Sequence, residues 1–431
     1  MAKPKLALIP SAQGSKFYSV LPSSGVGDFN FSRSGSATRI NSQGLIETVA
    51  SGVSRLNYPM IDGVVNGCPS HLLEPERLQL IPYSEDFSNA DWVKQQSSIV
   101  ANAIISPNGT LNASKLVEDS SNNFHRIIKN VITPIGTFSH SVFAKAGERK
   151  YFVLRNNING TNTNACFDLE NGVVVYNGFD EAKIENYGNG WYRCSIVEVD
   201  TSGGSTSFSL MTSNNEVTSN SIPSYQGDGT SGVYIYGAQV EQGSYPTSYI
   251  PNYGTALGVT RSAETADGSG DASTFNSSEG VLIAEVSALN NDLSERRFGI
   301  SDGTGSNAVR FGYTSASNRI VAVVYNGSNQ AVLTYNGATI TDFNKIALKY
   351  KENDFALWVN GIERSADSSG SVFASNTLNS LDFNIGGGSH FYSNTKDVRY
   401  YNTALNDSEL ETLTSWVSFS DMAEGQLYTI E

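Results

Sequence analysis

The stretches Asn189-Gly190-Trp191-Tyr192-Arg193-Cys194 and Gly232-Val233-Tyr234-Ile235-Tyr236-Gly237-Ala238-Gln239-Val240-Glu241 decide the fold class of this chain. Each alternates large apolar with polar residues, with Gly or Asn at its ends, the pattern of a half-buried strand between turns. Together they predict the centre of a β-sandwich. Neither has the composition of an active site.

Working outward, Phe138 to Glu148 alternates at period two and ends in a Gly turn, and Tyr151 to Arg155, Ala165 to Leu169, Val173 to Tyr176 and Ser207 to Met211 read as further strands. Short strands at close spacing favour a sandwich or jelly roll over a helix-covered sheet. A second strand-rich region begins at Gly280-Val281-Leu282-Ile283-Ala284-Glu285-Val286 and continues through Val309 to Tyr313, Ile320 to Tyr325, Gln330 to Tyr335, Asn344 to Tyr350 and Asp354 to Val359. Asn360-Gly361 closes a hairpin there, because both residues tolerate positive φ. Near the end, Asn406 or Asp407 caps a short helix with Glu409 and Glu411 in its first turn.

Between and before these regions the signal weakens. Residues 4–80 hold short apolar pieces broken by Gly, Ser and Pro, which predict an arm that needs something to pack on. Gly254 to Ser273 is polar and Gly-rich, which predicts a solvated linker.

Composition narrows the function. Of 431 residues only 16% are charged while 10% are aromatic, unlike a disordered or helical chain. A net charge of -14 excludes nucleic acid as a partner, since binding phosphates needs a basic surface. No apolar run is long enough to insert in a membrane, and the N-terminus lacks the apolar core of a signal peptide. Cys68, Cys166 and Cys194 have no metal-ligand spacing; a Cys166–Cys194 bridge competes with buried free thiols, and free thiols in a reducing cytosol are the expectation. His71, His125, His140 and His390 are scattered, and Gly386-Gly387-Gly388 lacks the Lys-Ser/Thr of a phosphate loop. No nucleophile elbow is present, so the chain is expected not to be an enzyme.

Several short motifs carry a resemblance. Phe29 to Arg39 with Asn41 to Ile46, Leu72-Leu73-Glu74-Pro75-Glu76-Arg77, and Leu80 to Ser88 followed by Trp92 resemble the opening of many bacteriophage virion proteins. Phe143 to Gly147, Gly190 to Arg193, Gly237 to Glu241, Pro246 to Pro251 and Thr260-Arg261-Ser262-Ala263 resemble the carbohydrate-binding-module-like jelly rolls of phage fibres and the linker after them. Ala356 to Gly361, Phe383 to Gly387 and Asp397 to Leu410 resemble the concanavalin A-like, laminin-G-type jelly roll. The fold expected is all-β: two jelly-roll sandwiches in series after an N-terminal arm, with one short C-terminal helix. The divisions are a virion-docking arm over 1–84, the first jelly roll over 85–252, a linker over 253–276, the second jelly roll over 277–418 and a tail over 419–431.

What the resemblance implies is a non-enzymatic tail- or head-fibre protein, made in the host cytoplasm and carried on the virion, that attaches to host-surface polysaccharide. Its partners would be capsid, portal, collar or tail proteins and further copies of itself, with a trimer as one form although no coiled-coil heptads are present. The alternatives are a purely structural decoration, collar or tail subunit and a glycan depolymerase; the latter lacks the Glu-x-Asp-x-x-Glu run usual in glycanases of the second fold. Glycan candidates are Tyr313, Tyr392 and Asn394, with Tyr325, Tyr335 and Phe391 weighed beside them against a place in the core. No cofactor is expected apart from calcium, for which Asp302 and Asn307 are candidate ligands against the competing reading of an ordinary Asp-Gly turn.

Overall fold

Period-two alternation between residues 93 and 242 builds two antiparallel six-stranded sheets packed face to face. One runs Val93–Gln95, His125–Thr133, Gly204–Ser213, Tyr151–Ile158, Thr161–Asp168, Val173–Asn177. The other runs Ser97–Ile105, Leu111–Glu118, Gly232–Gln242, Gly136–Ala146, Trp191–Asp200, Glu181–Asn186. Leu116, Phe152, Leu154, Phe167, Cys194 and Ile235 fill the space between them. Trp191 is buried on the opposite face of its sheet, with Phe143, Tyr236, Tyr249 and Ile46 of the arm. These features belong to a computed structural model that describes residues 3–158, 160–416 and Asp421. The expected tail over 419–431 lies outside the described residues apart from Asp421.

The second sandwich has a five-stranded sheet, Asn329–Asn336, Arg319–Asn326, Asn307–Tyr313, Arg296–Ser301, Ser380–Asp382. Its facing sheet includes Ser393–Tyr401, Glu279–Ala288, Asn344–Lys351, Phe355–Val359 and Ile362–Asp367 in that order. The hairpin turn has φ of 51° at Asn360 and 80° at Gly361, as the sequence predicted. The helix spans Asp407–Thr414, where Asn406 accepts from the Glu409 backbone N–H and the Glu409 side chain accepts from that of Asn406. Its Leu410 and Leu413 cover Val281, Ala347 and Trp358 on the outer face. Among the described residues no helix is long and apolar enough to cross a membrane.

Two boundaries need correction. The arm is part of the second sandwich: Leu6–Gln13 pairs with Ser393–Tyr401 in the register Leu6↔Tyr400, Ala7↔Arg399, Leu8↔Val398, and Lys16–Leu21 and Phe29–Ser32 extend the sheet beyond it. Leu6, Leu8, Phe17, Phe29 and Phe31 join Phe298, Phe311 and Phe383 in one core. What the arm packs on is therefore the end of its own chain. The 253–276 segment is likewise not a solvated linker, since Val259–Arg261 pairs with Arg77–Gln79 and Thr265–Asp267 pairs with Phe29–Ser32. Its Arg261, Glu264, Ser269 and Thr274 are buried, which composition alone does not reveal.

That pairing forms an ionic hub. Glu264 accepts from Arg33 Nη1 at 2.7 Å, from Arg55 Nε at 2.8 Å and Nη2, and from the Glu74 backbone N–H at 2.9 Å. Glu74 accepts from Arg55 at 2.8 Å, Arg261 at 2.6 Å, and the backbone and hydroxyl of Ser248 at 2.8 and 2.6 Å. All five ionic side chains are buried. Burial alone would raise the Glu74 carboxyl, yet the Arg261 and Arg55 charges bring it down to about 2. Burial pulls Arg55 down, and the Glu264 and Glu74 carboxylates more than offset it.

The corrected segment also holds an electrostatic cost. Burial, followed by the nearby charge of Asp382, raises the Asp267 carboxyl to about 6, and its Oδ1 is buried without a partner. An acid whose pKa is raised on folding holds its proton longer in the folded state, so stability falls as pH rises from the unfolded value through about 6. Asp267→Asn should therefore stabilise the protein at pH 8 by about 1–2 kcal/mol, the figure being reduced for partial solvent screening. The gain should vanish at pH 4. Urea melts at the two pH values check this, and an equal effect at both would refute it.

Candidate functional site

A groove runs where the first sandwich, the arm and the second sandwich meet. Its floor is set by Glu181–Asn186, an edge strand paired with Trp191–Asp200 in the register Lys183↔Ser195 and Glu185↔Arg193. The strand's alternation turns Ala182 and Ile184 toward the core and leaves Glu181, Lys183 and Glu185 on the groove side. Lys183 Nζ and Glu185 Oε1 lie 2.7 Å apart.

Three cavities of about 480, 230 and 450 Å³ form the groove, and they are joined by shared walls. Ile40, Asn57, Glu185 and Tyr187 line the first and second, while Glu185, Tyr245, Pro246, Leu289 and Asn394 line the second and third. Tyr58, Tyr187 and Tyr192 contribute partly exposed rings. At one end the arm hairpin Met60–Ile61/Val64–Val65 touches the turn before Trp191 through two glycines, where a Cβ on Gly188 would lie 2.4 Å from the Gly63 carbonyl oxygen. No larger residue at 188 permits this approach.

Tyr245 is the polar group with most to gain from a ligand. It is 7% exposed, lines the second and third cavities, and its hydroxyl is buried without a protein partner. Such an orphan costs stability unless something supplies the missing hydrogen bond. Around it, Asn394 accepts from Ser70 Oγ at 3.2 Å, and Asn290 donates to the Ser244 carbonyl at 3.2 Å.

The residues singled out from sequence fare unequally. Asn394 lines the groove. Tyr313 does not reach the surface: it is 2% exposed and stacked on Phe391 at 5.2 Å, because period-two alternation turns it into the sandwich. Phe391 is buried in the same core. Tyr392 is partly buried against that core and stacks on His390 at 5.4 Å. Tyr325 and Tyr335 lie under Arg310 and Arg364 at 5.8 and 4.3 Å. At the calcium candidate, Asp302 Oδ1 accepts from the Thr304 backbone and hydroxyl at 2.9 and 2.6 Å, and Oδ2 accepts from Asn307 Nδ2 at 2.7 Å, so the pair sits in a turn and Asn307 presents its amide nitrogen to Asp302. Among the described residues no three His, Cys, Asp or Glu side chains gather as a metal site. His71, His125 and His140 are buried strand residues, and all three cysteines are free. Gly386 and Gly387 lie in a short 3₁₀ turn after Ser380–Asp382.

Sequence reasoning missed Glu185, Tyr187 and Tyr245. The charged alternation Glu181-Ala182-Lys183-Ile184-Glu185 beside a predicted strand was the available signal for the first, and Tyr245-Pro246 after a strand end for the last.

No protein-family model matches the chain, and no curated protein sequence matches it. Among solved structures, the CBM40 of the Ruminococcus gnavus IT-sialidase bound to α2,3-sialyllactose overlaps 32% of this chain and 84% of its own, at 16% identity and a TM-score of 0.28. Domain 4 of AbnA, a GH43 extracellular arabinanase from Geobacillus stearothermophilus in complex with arabinotriose, overlaps 40% of this chain and 83% of its own, at 12% identity and a TM-score of 0.26. Domains LG4-5 of the mouse laminin α1 chain overlap 67% of this chain and 90% of their own, at 9% identity and a TM-score of 0.22. All three scores lie well below one half, and the fold described above rests on this chain's own strand pairing.

Proposed function

We propose that this chain is a non-enzymatic glycan-binding protein of a bacteriophage virion, a fibre-type appendage that attaches to host-surface polysaccharide through the groove between its sandwiches. The observation that carries the glycan reading is the groove itself: a long polar trough with partly exposed tyrosine rings, side-chain amides and one orphaned hydroxyl. Rings take the apolar faces of sugars, and amides and hydroxyls take their polar edges. Support for the virion setting is the resemblance of the short motifs, of which Arg33, Glu74, Ser248 and Arg261 all meet in the ionic hub. Those motifs thus speak for a shared scaffold, while the groove speaks for binding.

The test is binding of the purified full-length chain to extracted host polysaccharide. Tyr58→Ala and Asn394→Ala should each weaken binding about twofold to tenfold, with the fold unchanged by circular dichroism. Unaltered binding by the double variant would remove the groove from the reading.

A structural subunit is the second reading, and one observation favours it. Ile132, Ile135 and Leu257 are 72%, 65% and 91% exposed, and Ile132 and Leu257 line one cavity, as a surface for a neighbouring virion protein would. A folded chain that binds no polysaccharide would decide for it.

A further inference from the structure

A separate cavity of about 430 Å³ opens on the first sandwich, lined by Tyr83, Glu85, Asn102, Asn112, Asn252 and Tyr253 among others. Two of these residues hold the left-handed backbone conformation, Tyr83 at φ 52° and Asn102 at φ 51°. For a bulky residue such as Tyr83 this is an outlier, and such strain gathers at binding sites. Trp92 Nε1 fixes it by donating to the Tyr83 carbonyl at 3.1 Å. Tyr253 is 74% exposed, so its ring is open to a ligand.

The hydrogen-bond inventory of the cavity is one-sided. Glu85 Oε1 accepts from the hydroxyls of Tyr236 and Tyr249 at 3.1 Å and of Tyr253 at 3.4 Å, whereas Oε2 has only the Asn112 amide, at 3.4 Å. That contact turns the Asn112 nitrogen toward the carboxylate, and Asn112 Oδ1 is buried with no donor. Asn112 Oδ1 therefore lacks a donor, and the adjacent Glu85 Oε2, held by one long contact, has capacity for a second. Charge is one-sided as well: Asp86 has Lys94 nearby, but no Lys or Arg pairs with Glu85 among the described residues. Burial pushes the Glu85 carboxyl up, against the hydroxyls of Tyr236, Tyr249 and Tyr253, which hold it down.

From this geometry we infer that the cavity binds a protonated primary amine, its N–H groups donating to Glu85 Oε2 and Asn112 Oδ1 and its charge lying against the Tyr253 ring. A primary ammonium supplies both what the acceptors lack and the missing positive charge. A neutral sugar supplies only the first, and a quaternary ammonium only the second. The amine has two sources, an amino sugar within a polysaccharide or a small free amine. The site is independent of the groove, so either can fail without the other.

Calorimetric titration of the full-length chain with glucosamine, ethanolamine, N-acetylglucosamine and choline separates these cases. Glucosamine should bind and N-acetylglucosamine and choline should bind at least tenfold more weakly, about the worth of a charged hydrogen bond. Ethanolamine binding as tightly as glucosamine would assign recognition to the ammonium alone, and weaker ethanolamine binding would assign it to an amino sugar. Glu85→Gln should lower glucosamine affinity about tenfold, and Tyr253→Ala, at an exposed position that does not threaten folding, about twofold to fivefold. Absence of glucosamine binding, or equal binding of N-acetylglucosamine or choline, overturns the inference. So does a folded Tyr253→Ala variant with unchanged affinity.

Discussion

A fragment spanning residues 266–418 is expected not to fold. It holds every strand of the five-stranded sheet, but its other sheet would end at Ser393–Tyr401, whose edge is covered in the full chain by Leu6–Gln13 and Ser70–Leu73. Leu6, Leu8, Phe17, Phe29 and Phe31 would be missing from a core that also contains Phe298, Phe383 and Phe391. Loss of a single buried Phe costs about 3–5 kcal/mol, and a domain's whole margin is about 5–15 kcal/mol, so removing five core side chains exceeds it. The bare edge strand would then favour aggregation. Size-exclusion chromatography and near-ultraviolet circular dichroism test this against the same fragment supplied in trans with residues 3–85. A monomeric fragment with native-like near-ultraviolet signal would show that the arm is dispensable.

Glu264→Gln should be the most damaging single substitution at the hub. It removes one of two carboxylates that face three arginines, leaving Arg33 without its carboxylate partner and Arg55 with Glu74 alone. Breaking a buried pair by neutralising one member costs about 3–5 kcal/mol, on the order of a 10 °C fall in melting midpoint. Because the hub ties the arm, Ser248 at the end of the first sandwich and the 259–267 strands together, the scan should also split into two transitions. Acid reports on the same contacts. Glu74, held at about 2 in the fold against an ordinary 4.5, contributes stability that is full above about pH 4.5 and lost as pH falls toward 2. The shift corresponds to about 3 kcal/mol. A calorimetric scan of Glu264→Gln that overlays the parent at pH 7 would refute the reading of the hub as the joint between the sandwiches.

What the sequence disclosed was local. The strands at Trp191 and Gly232, the Asn360-Gly361 turn and the Asn406 cap each follow from a few neighbouring residues, and the structure has them within a few positions. What stayed hidden needed partners far along the chain. Arg261 and Glu264 sit in a segment whose Gly and Ser content reads as solvated, and only Arg33, Arg55 and Glu74 make their burial affordable. The same holds for the sites. Asn394, at the start of the strand Ser393–Tyr401, lines the groove, whereas Tyr313 lies in the core, and in sequence a Tyr on an alternating strand looks alike from either face. Glu85 stood in a motif read only for its resemblance, and its three tyrosine donors come from residues 236–253.

The pairing of Leu6 with Tyr400 sets a timetable for synthesis. Residues 3–32 leave the ribosome with Phe17, Phe29 and Phe31 uncovered, and Ser393–Tyr401, the partner of Leu6–Gln13, follows only after more than 350 further residues. At about 5–20 residues per second that wait is roughly 20–75 s. The first sandwich, whose strands lie within residues 93–242, can close during it. The arm cannot, and the long loop its closure spans makes that step late and slow. Translation speed and chaperone supply should therefore govern the yield of this protein more than its final stability does.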